Sequence, residues 1–507
     1  MAHFIIANRL AGVAERQAPR AVLDGMEASL SAHFDVRADN KPSEPGGRRR
    51  IYLETDPAEL ERARMEFPED VIVEPRVLRH PALSYPGLVQ LELAAQGVEP
   101  ESAGVGRTLA VNLRGVGKAL IGAQTTLLLT DLTGRGPGTR VRGTSDRSGE
   151  VGHAYDPSRW WPTQLLVESR SGFWDWWQLF PWHGMTIDLP ALPKVGPLSW
   201  WHLVVGMGRY ARNRSGDGIK IGVVDTGVGP HPYLSHVRSL GSTAGAAYDP
   251  SPEAGVDVQQ HGTHVCGIIA ARPVDGSGDY AGIADGADVM AIRVFPPDGA
   301  ADQGDIAEAI DLLAAEHDAD LINLSLGSPQ PSAIERDAII AAAERGTLCC
   351  AAAGNSFGGP TMYPAAYPET AAVSALGLTG TSPPGTMAAH ATPLQADKFA
   401  PGGLFLADFS NLGPEIICAA PGVGIISTVP ARAEVVAPYA SKSGTSMASP
   451  IVCAAVATLL SHDRAYLGLP RGVRRAQRAA ATLAASLQPV ELSPLYVGGG
   501  LSRAWPI

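Results

Sequence analysis

Three polar side chains, each beside a short apolar run, have the types and spacing for chemistry on a carbonyl. Ser446 lies in SKSGTSMASP, residues 441–450, at the entrance of an apolar helix that continues through Ile451, Val452, Ala455, Val456 and Leu459. Gly444 gives the backbone room for a tight turn just before it. A hydroxyl at that place has two uses. Unpaired N–H groups and the helix dipole would stabilise an oxyanion formed beside a nucleophilic serine. Alternatively, the serine caps the helix. Two other stretches favour the nucleophile. IGVVDTGVG, residues 221–229, ends an apolar run in Asp225, as a buried parallel strand does when it delivers a carboxylate to the sheet edge where ligands bind. HGTHVCGIIA, residues 261–270, opens a small-residue helix on His261. An orienting carboxylate, a proton-accepting imidazole and a hydroxyl are the parts of an acyl-transfer triad, and Asp-His-Ser is one of its chain orders.

In that order the motifs resemble the subtilisin-like serine peptidases, over about residues 198–507. The resemblance implies an α/β fold, a mostly parallel sheet with helices on both faces. It also implies Asp225 as the orienting acid, His261 as the general base and Ser446 as the nucleophile. CAAAGNS, residues 350–356, resembles the family's oxyanion-hole segment, so Asn355 would donate alongside the Ser446 N–H. LINLSLG, residues 321–327, resembles the strand that pairs with an extended substrate. Ser325, Leu326 and Gly327 would line one wall of the binding cleft, and Ala352, Ala353 and Gly354 the facing wall. The chain departs from the family at Gln260, commonly glycine, and at Cys266, commonly alanine; neither change removes a reacting group.

The elements around these motifs suggest two accessory domains ahead of a catalytic one. Residues 1–80 alternate strand and helix in a βαββαβ-like order, with strands at 3–7, 51–54 and 71–77 and helices at 21–34 and 57–67. This predicts a small ferredoxin-like α+β unit that weakly resembles the family's inhibitory propeptide, with Glu74, Pro75 and Arg76 near the segment that enters the cleft. Residues 81–197 carry short extended runs at 110–112, 125–131, 139–142, 150–153 and 164–168, separated by Gly, Pro, Asp and Ser. They predict a β-sandwich loosely similar to transthyretin-like or carboxypeptidase-regulatory-like modules. Eight of the nine tryptophans fall between 160 and 201, which suggests glue between the sandwich and the catalytic domain, residues 198–507, rather than a binding platform.

Bulk properties narrow the setting. A net charge of -11 over 507 residues without a long basic run argues against nucleic acid and anionic membranes. Cys266, Cys349, Cys350, Cys418 and Cys453 sit in apolar catalytic segments and read as reduced thiols, and the N-terminal stretch lacks a signal-peptide pattern. Both predict a cytoplasmic protein. The expected function is a serine endopeptidase acting on protein or peptide substrates, with no cofactor needed for the chemistry. A peptide ligase or macrocyclase using the same acyl-enzyme, and a catalytically silent scaffold, are the alternatives. Structural calcium, common in the family, is left open without ligands; Asp275, Asp279, Asp302 and Asp305 read as solvated loop acids.

Overall fold

The run Lys220–Asp225 is buried on both sides, with Ile221 and Val223 in one apolar core and Val224 in another. A strand covered on both faces belongs at the centre of a parallel sheet flanked by helices. The computed structural model describes residues 2–12, 23, 30, 34–42, 47–64, 67–82, 106–133, 138–169, 171–194, 196, 198–208, 215–273, 280–297, 299–431 and 438–505. Within them the central sheet runs Arg238–Ser242, Asp288–Arg293, Lys220–Asp225, Leu321–Leu324, Leu348–Ala352, Thr370–Leu378, Ile416–Pro421, every neighbouring pair parallel. Helices His261–Ala270 and Thr445–Ser461 fill the core on one face, and Gln303–Asp311 and Ala333–Glu344 the core on the other. This is the expected α/β architecture.

The N-terminal unit is an antiparallel sheet ordered Asp35–Asn40, Arg50–Thr55, Ala2–Asn8, Val71–Pro75. Its helix Pro57–Arg64 connects two of these strands; of the helix expected at 21–34, only Leu23, Leu30 and Phe34 are among the described residues. The sequence reading missed Asp35–Asn40, a short edge strand in which only Val36 and Ala38 are apolar and both keep some exposure. Expected strand 71–77 ends at Pro75. Both faces of this sheet are buried because its side chains alternate. Phe4, Ile6, Ile51, Leu53, Val71 and Val73 pack with Leu23, Leu30 and Leu60, while Ile5, Ala7, Tyr52 and Ile72 join the catalytic core against Ile306, Ile310, Ile334 and Ala338.

Charged groups lock that contact. Arg48, buried, pairs with Asp311 and Asp337 at 2.8 Å each, and Arg50 pairs with Glu308. Glu74 accepts from Ser332 Oγ at 2.5 Å and Ala333 N at 2.6 Å, a carboxylate on the orphan donors of helix Ala333–Glu344. Burial nonetheless pushes its pKa up. Asp302 and Asp305 are buried, contrary to the expectation of solvated acids. Asp302 caps helix Gln303–Asp311 through Gly304 N at 2.8 Å and pairs with Arg76, and Asp305 accepts from Gly245 N at 2.9 Å and Ala246 N at 3.0 Å. With those oxygens so committed, neither fits a calcium site. Asp275 and Asp279 lie outside the described residues. Among the described residues, no cluster of three or more His, Cys, Asp or Glu side chains could hold a metal ion, and no helix is long and apolar enough to cross a membrane.

The second unit is a sandwich. One sheet holds Glu150–Tyr155, Arg107–Gly115, Thr186–Leu189 and Lys118–Ala119; the other holds Trp176–Leu179, Trp160–Glu168, Gln124–Asp131 and Thr139–Thr144. Leu109, Val111, Leu127, Leu129, Leu165, Val167 and Ile187 form its core. Strands Trp176–Leu179 and Thr186–Leu189 were not anticipated: the aromatic run masks alternation in the first, and the second is only four residues long. Trp174 is buried in the catalytic core, the Trp176 ring covers Gly385, where a Cβ would lie 2.3 Å from it, and Trp177 meets His390 edge-on at 4.3 Å. These three join the two units. Trp161 and Trp182 are 57% and 61% exposed and do not.

Asp175 sits at this junction. Its carboxylate accepts from Ser169 N at 2.8 Å and Ser169 Oγ at 3.1 Å, and desolvation, aided by Glu168, pushes its pKa from 3.8 up to about 7. The folded protein therefore binds this proton more tightly than the unfolded chain. The associated stability is full below about pH 4 and is lost as pH rises through about 7. Asp175→Asn should flatten that slope and melt no lower than wild type at pH 8. Thermal unfolding at pH 5.5 and 8 checks this; equal losses in the two proteins would refute it.

Candidate active site

Asp225 ends its strand at the carboxyl edge of the sheet, and His261 opens the helix beside it. Both are buried, and Asp225 Oδ1 lies 2.7 Å from His261 Nδ1. Two glycines permit the approach. A Cβ at Gly262 would stand 2.1 Å from the Gly227 carbonyl, and Gly227 itself has φ 104°. Asp257, which the sequence reading did not single out, holds the turn into the histidine helix. It accepts from Thr226 Oγ1, Gln259 N, Gln260 N and Thr263 N at 2.8–2.9 Å and from Thr263 Oγ1 at 2.5 Å. Gln260 takes φ 67°, a left-handed conformation that explains why glycine suits this position and that the Gln260 N bond to Asp257 helps to hold. Cys266 packs in the core with its thiol pKa raised well above the ordinary value by burial, and is thereby unreactive.

Ser446 is the second residue of helix Thr445–Ser461, so it does not cap the helix. Gly444 stands at the cap with φ 157° and ψ 161°, where the chain bends into the helix. Pro450 has no N–H to give the Ser446 carbonyl, and Ser325 Oγ donates to it instead at 2.8 Å. In return Ser446 Oγ donates to the Ser325 carbonyl at 3.0 Å. Asn323 steadies the pair, with Nδ2 donating to Ser325 Oγ at 2.9 Å and Oδ1 accepting from Ser449 Oγ at 2.8 Å. Asn355 Oδ1 accepts from Thr445 N at 2.9 Å and Thr445 Oγ1 at 3.0 Å, which fixes the amide so that Nδ2 is presented to the cleft. His261 Nε2 has no hydrogen-bond partner among the described residues.

Asn355 Nδ2 and Ser446 N converge on one oxygen, the carbonyl of Ala82, with the Ser446 bond at 3.3 Å. The chain's own segment therefore lies in the cleft. Leu78–Pro81 is an antiparallel strand between Ala301–Asp302 and Leu326–Gly327, and Ala82 N donates to the Ser325 carbonyl at 3.1 Å. Ser325, Leu326 and Gly327 thus meet an extended peptide. Ala352 and Ala353 are buried, and Gly354 donates to Thr445 Oγ1 at 3.0 Å; these three carry Asn355 and contribute none of the hydrogen bonds to the inserted strand among the described residues. The segment in the cleft begins four residues later than the expected Glu74, which lies at helix Ala333–Glu344. Asn323, Thr445 and Asp257 were missed because their work is with neighbours that only folding supplies, although Thr445 and Asp257 stand one and four residues from candidates.

The model of the subtilase family matches residues 216–489. The chain belongs to the subtilase family. It is 35% identical over 248 residues to subtilisin Savinase of Lederbergia lenta, covering 49% of this chain and 78% of that protein. It is 31% identical over 261 residues to the major intracellular serine protease of Bacillus subtilis (strain 168), covering 50% and 72%. Fervidolysin of Fervidobacterium pennivorans, described as a keratinolytic enzyme related to subtilisin, shares the fold with a TM-score of 0.58 at 18% identity, over 99% of this chain and 60% of that one. This subtilase is accordingly a subtilisin-like serine protease, a hydrolase.

Because Asp257 receives five hydrogen bonds in a buried loop, Asp257→Asn turns one acceptor edge into donors facing donors. The variant should lose about 2 kcal/mol of stability and, by loosening His261, a larger factor in kcat than in KM. Unchanged melting and kinetics would show that the loop orders itself without the carboxylate.

Proposed function

We propose that this subtilase is a serine endopeptidase in which Ser446 attacks a peptide carbonyl, His261 relays the proton and Asp225 holds the imidazole. The observation that carries the reading is the Ala82 carbonyl oxygen, bound by Asn355 Nδ2 and Ser446 N, and it is joined by the Asp225–His261 hydrogen bond. That is where the oxygen of a substrate would gain negative charge, and the two donors are aimed at it in advance. To react, Ser446 Oγ must give up its bond to the Ser325 carbonyl and pass its proton to His261 Nε2. His261 then protonates the leaving amine, and water releases the acyl group from Ser446 by the reverse route. A cytoplasmic setting belongs to the same proposal and is supported by five buried, unpaired thiols.

In this reading the bond between Ala82 and Leu83 is the first one presented to the site, and residues 1–82 act as an inhibitor in place. A cut there separates the N-terminal sheet but leaves the sandwich joined to the catalytic domain, since the sandwich begins after the cut. Intact mass of the purified full chain over time should show loss of a fragment ending at Ala82, while Ser446→Ala stays whole. A fragment from Ser446→Ala, or a cut at another bond, would sink the assignment. Asn355→Ala should lower turnover of a peptide substrate about 10²–10³-fold with little change in KM. A fall in affinity without a fall in turnover would instead make Asn355 a binding group.

A further inference from the structure

The strand that fills the cleft also carries a record of what the cleft recognises. If the Ala82 carbonyl marks the reacting bond, which rests on the catalytic reading above, then Pro81, His80 and Arg79 are the second, third and fourth residues back. Pairing of Leu326 with Pro81 and Gly327 with His80 fixes that register. Side chains alternate along a strand, and here His80 and Leu78 are exposed while Arg79 is fully buried. Recognition at the fourth position is therefore recognition of Arg79.

Its guanidinium enters a pocket built for a cation. Nε and Nη2 donate to the two carboxylate oxygens of Glu335 at 3.2 and 2.6 Å, and Nη1 donates to the Gln330 carbonyl at 2.6 Å and to Ser328 Oγ. Glu335 lies in the first turn of helix Ala333–Glu344 with its side chain wholly buried, and among the described residues Arg79 supplies all the hydrogen bonds to its carboxylate. Arg48, Arg50 and Arg76 also bridge the two units, but none of them lies in strand Leu78–Pro81, so they stand outside the substrate register. A peptide with a neutral group at this position would have to strip water from Glu335 and leave it unpaired. Arginine meets it with a planar bidentate fork.

We infer that Glu335, with Ser328 Oγ and the Gln330 carbonyl, is a specificity site that selects substrates with arginine four residues back from the cleaved bond. The test offers the full-length protein two peptides in one mixture, Arg-His-Pro-Ala-Leu and the same sequence with citrulline in place of arginine, each flanked identically. The ratio of their cleavage rates is the ratio of kcat/KM and does not depend on how many molecules have released their own strand. Arginine should be preferred by about thirtyfold, the lower range for truncating a buried charge pair. In Glu335→Gln the preference should fall to threefold or less. Equal cleavage of both peptides by wild type would overturn the inference while leaving the peptidase reading intact. If neither peptide is cut and the full chain itself also stays whole, the peptidase reading fails. Whenever neither peptide is cut, the inference is judged on binding of fluorescent acetyl-Arg-His-Pro-Ala and its citrulline analogue to full-length Ser446→Ala that also carries Arg79→Ala, so that its own strand no longer fills the Glu335 pocket. Tenfold tighter binding of the arginine form supports it, and equal affinity overturns it.

Discussion

The first turn of helix Thr445–Ser461 is the constraint on which the site depends. A helix start leaves backbone donors without partners, and this one assigns them separately. Thr445 N goes to Asn355 Oδ1, which fixes the amide, and Ser446 N goes to the oxygen in the cleft. Pro450 frees the Ser446 carbonyl, and Ser325 Oγ takes it. The helix, the Asn355 loop and the edge strand that receives peptide are thereby set relative to one another by a few hydrogen bonds of 2.8–3.0 Å. Movement of any one would displace a donor from the oxygen in the cleft, the proposed oxyanion position, and catalysis by preorganised donors tolerates little such error.

The same logic explains why the N-terminal sheet fits where it does. Strand alternation gives it two apolar faces, one of which completes the catalytic core. Its charged residues then settle on helix ends and helix faces: Glu74 on the donors of Ala333–Glu344, Arg48 between Asp311 and Asp337. Buried ion pairs contribute less net stability than their number suggests, because desolvation offsets attraction. What they contribute is register, and the register delivers the Ala82 carbonyl to Asn355 and Ser446 while seating Arg79 on Glu335. In the proposed reading, inhibition and specificity come from one geometric fact.

Much of this was legible beforehand. Asp225, His261, Ser446 and Asn355 each follow or open a short apolar run, and period and flanking glycines place such residues at strand ends and helix starts. Five of the sandwich strands and three of the four N-terminal strands could be read from short apolar or alternating runs. Reading failed where the apolar signal was thin, in the edge strand Asp35–Asn40 with only Val36 and Ala38, and in the aromatic run that hides Trp176–Leu179. It also misjudged Asp302 and Asp305, because a carboxylate in a loop looks solvated until the partners that bury it, Arg76 and the Gly245 and Ala246 amides, are brought from distant segments.

The sequence by itself determined the candidate groups Asp225, His261, Ser446 and Asn355, their chain order and the α/β class, since those are carried by local pattern. Only the tertiary structure decided that Ser446 does not cap its helix, that Asp257 orders the histidine turn, and that Leu78 to Ala82 lies in the cleft with Arg79 on Glu335. These facts join residues far apart in the chain, 256 positions for Arg79 and Glu335 and 273 for Ala82 and Asn355. Burial and hydrogen-bond geometry set them, and neither is a property of any local window of sequence.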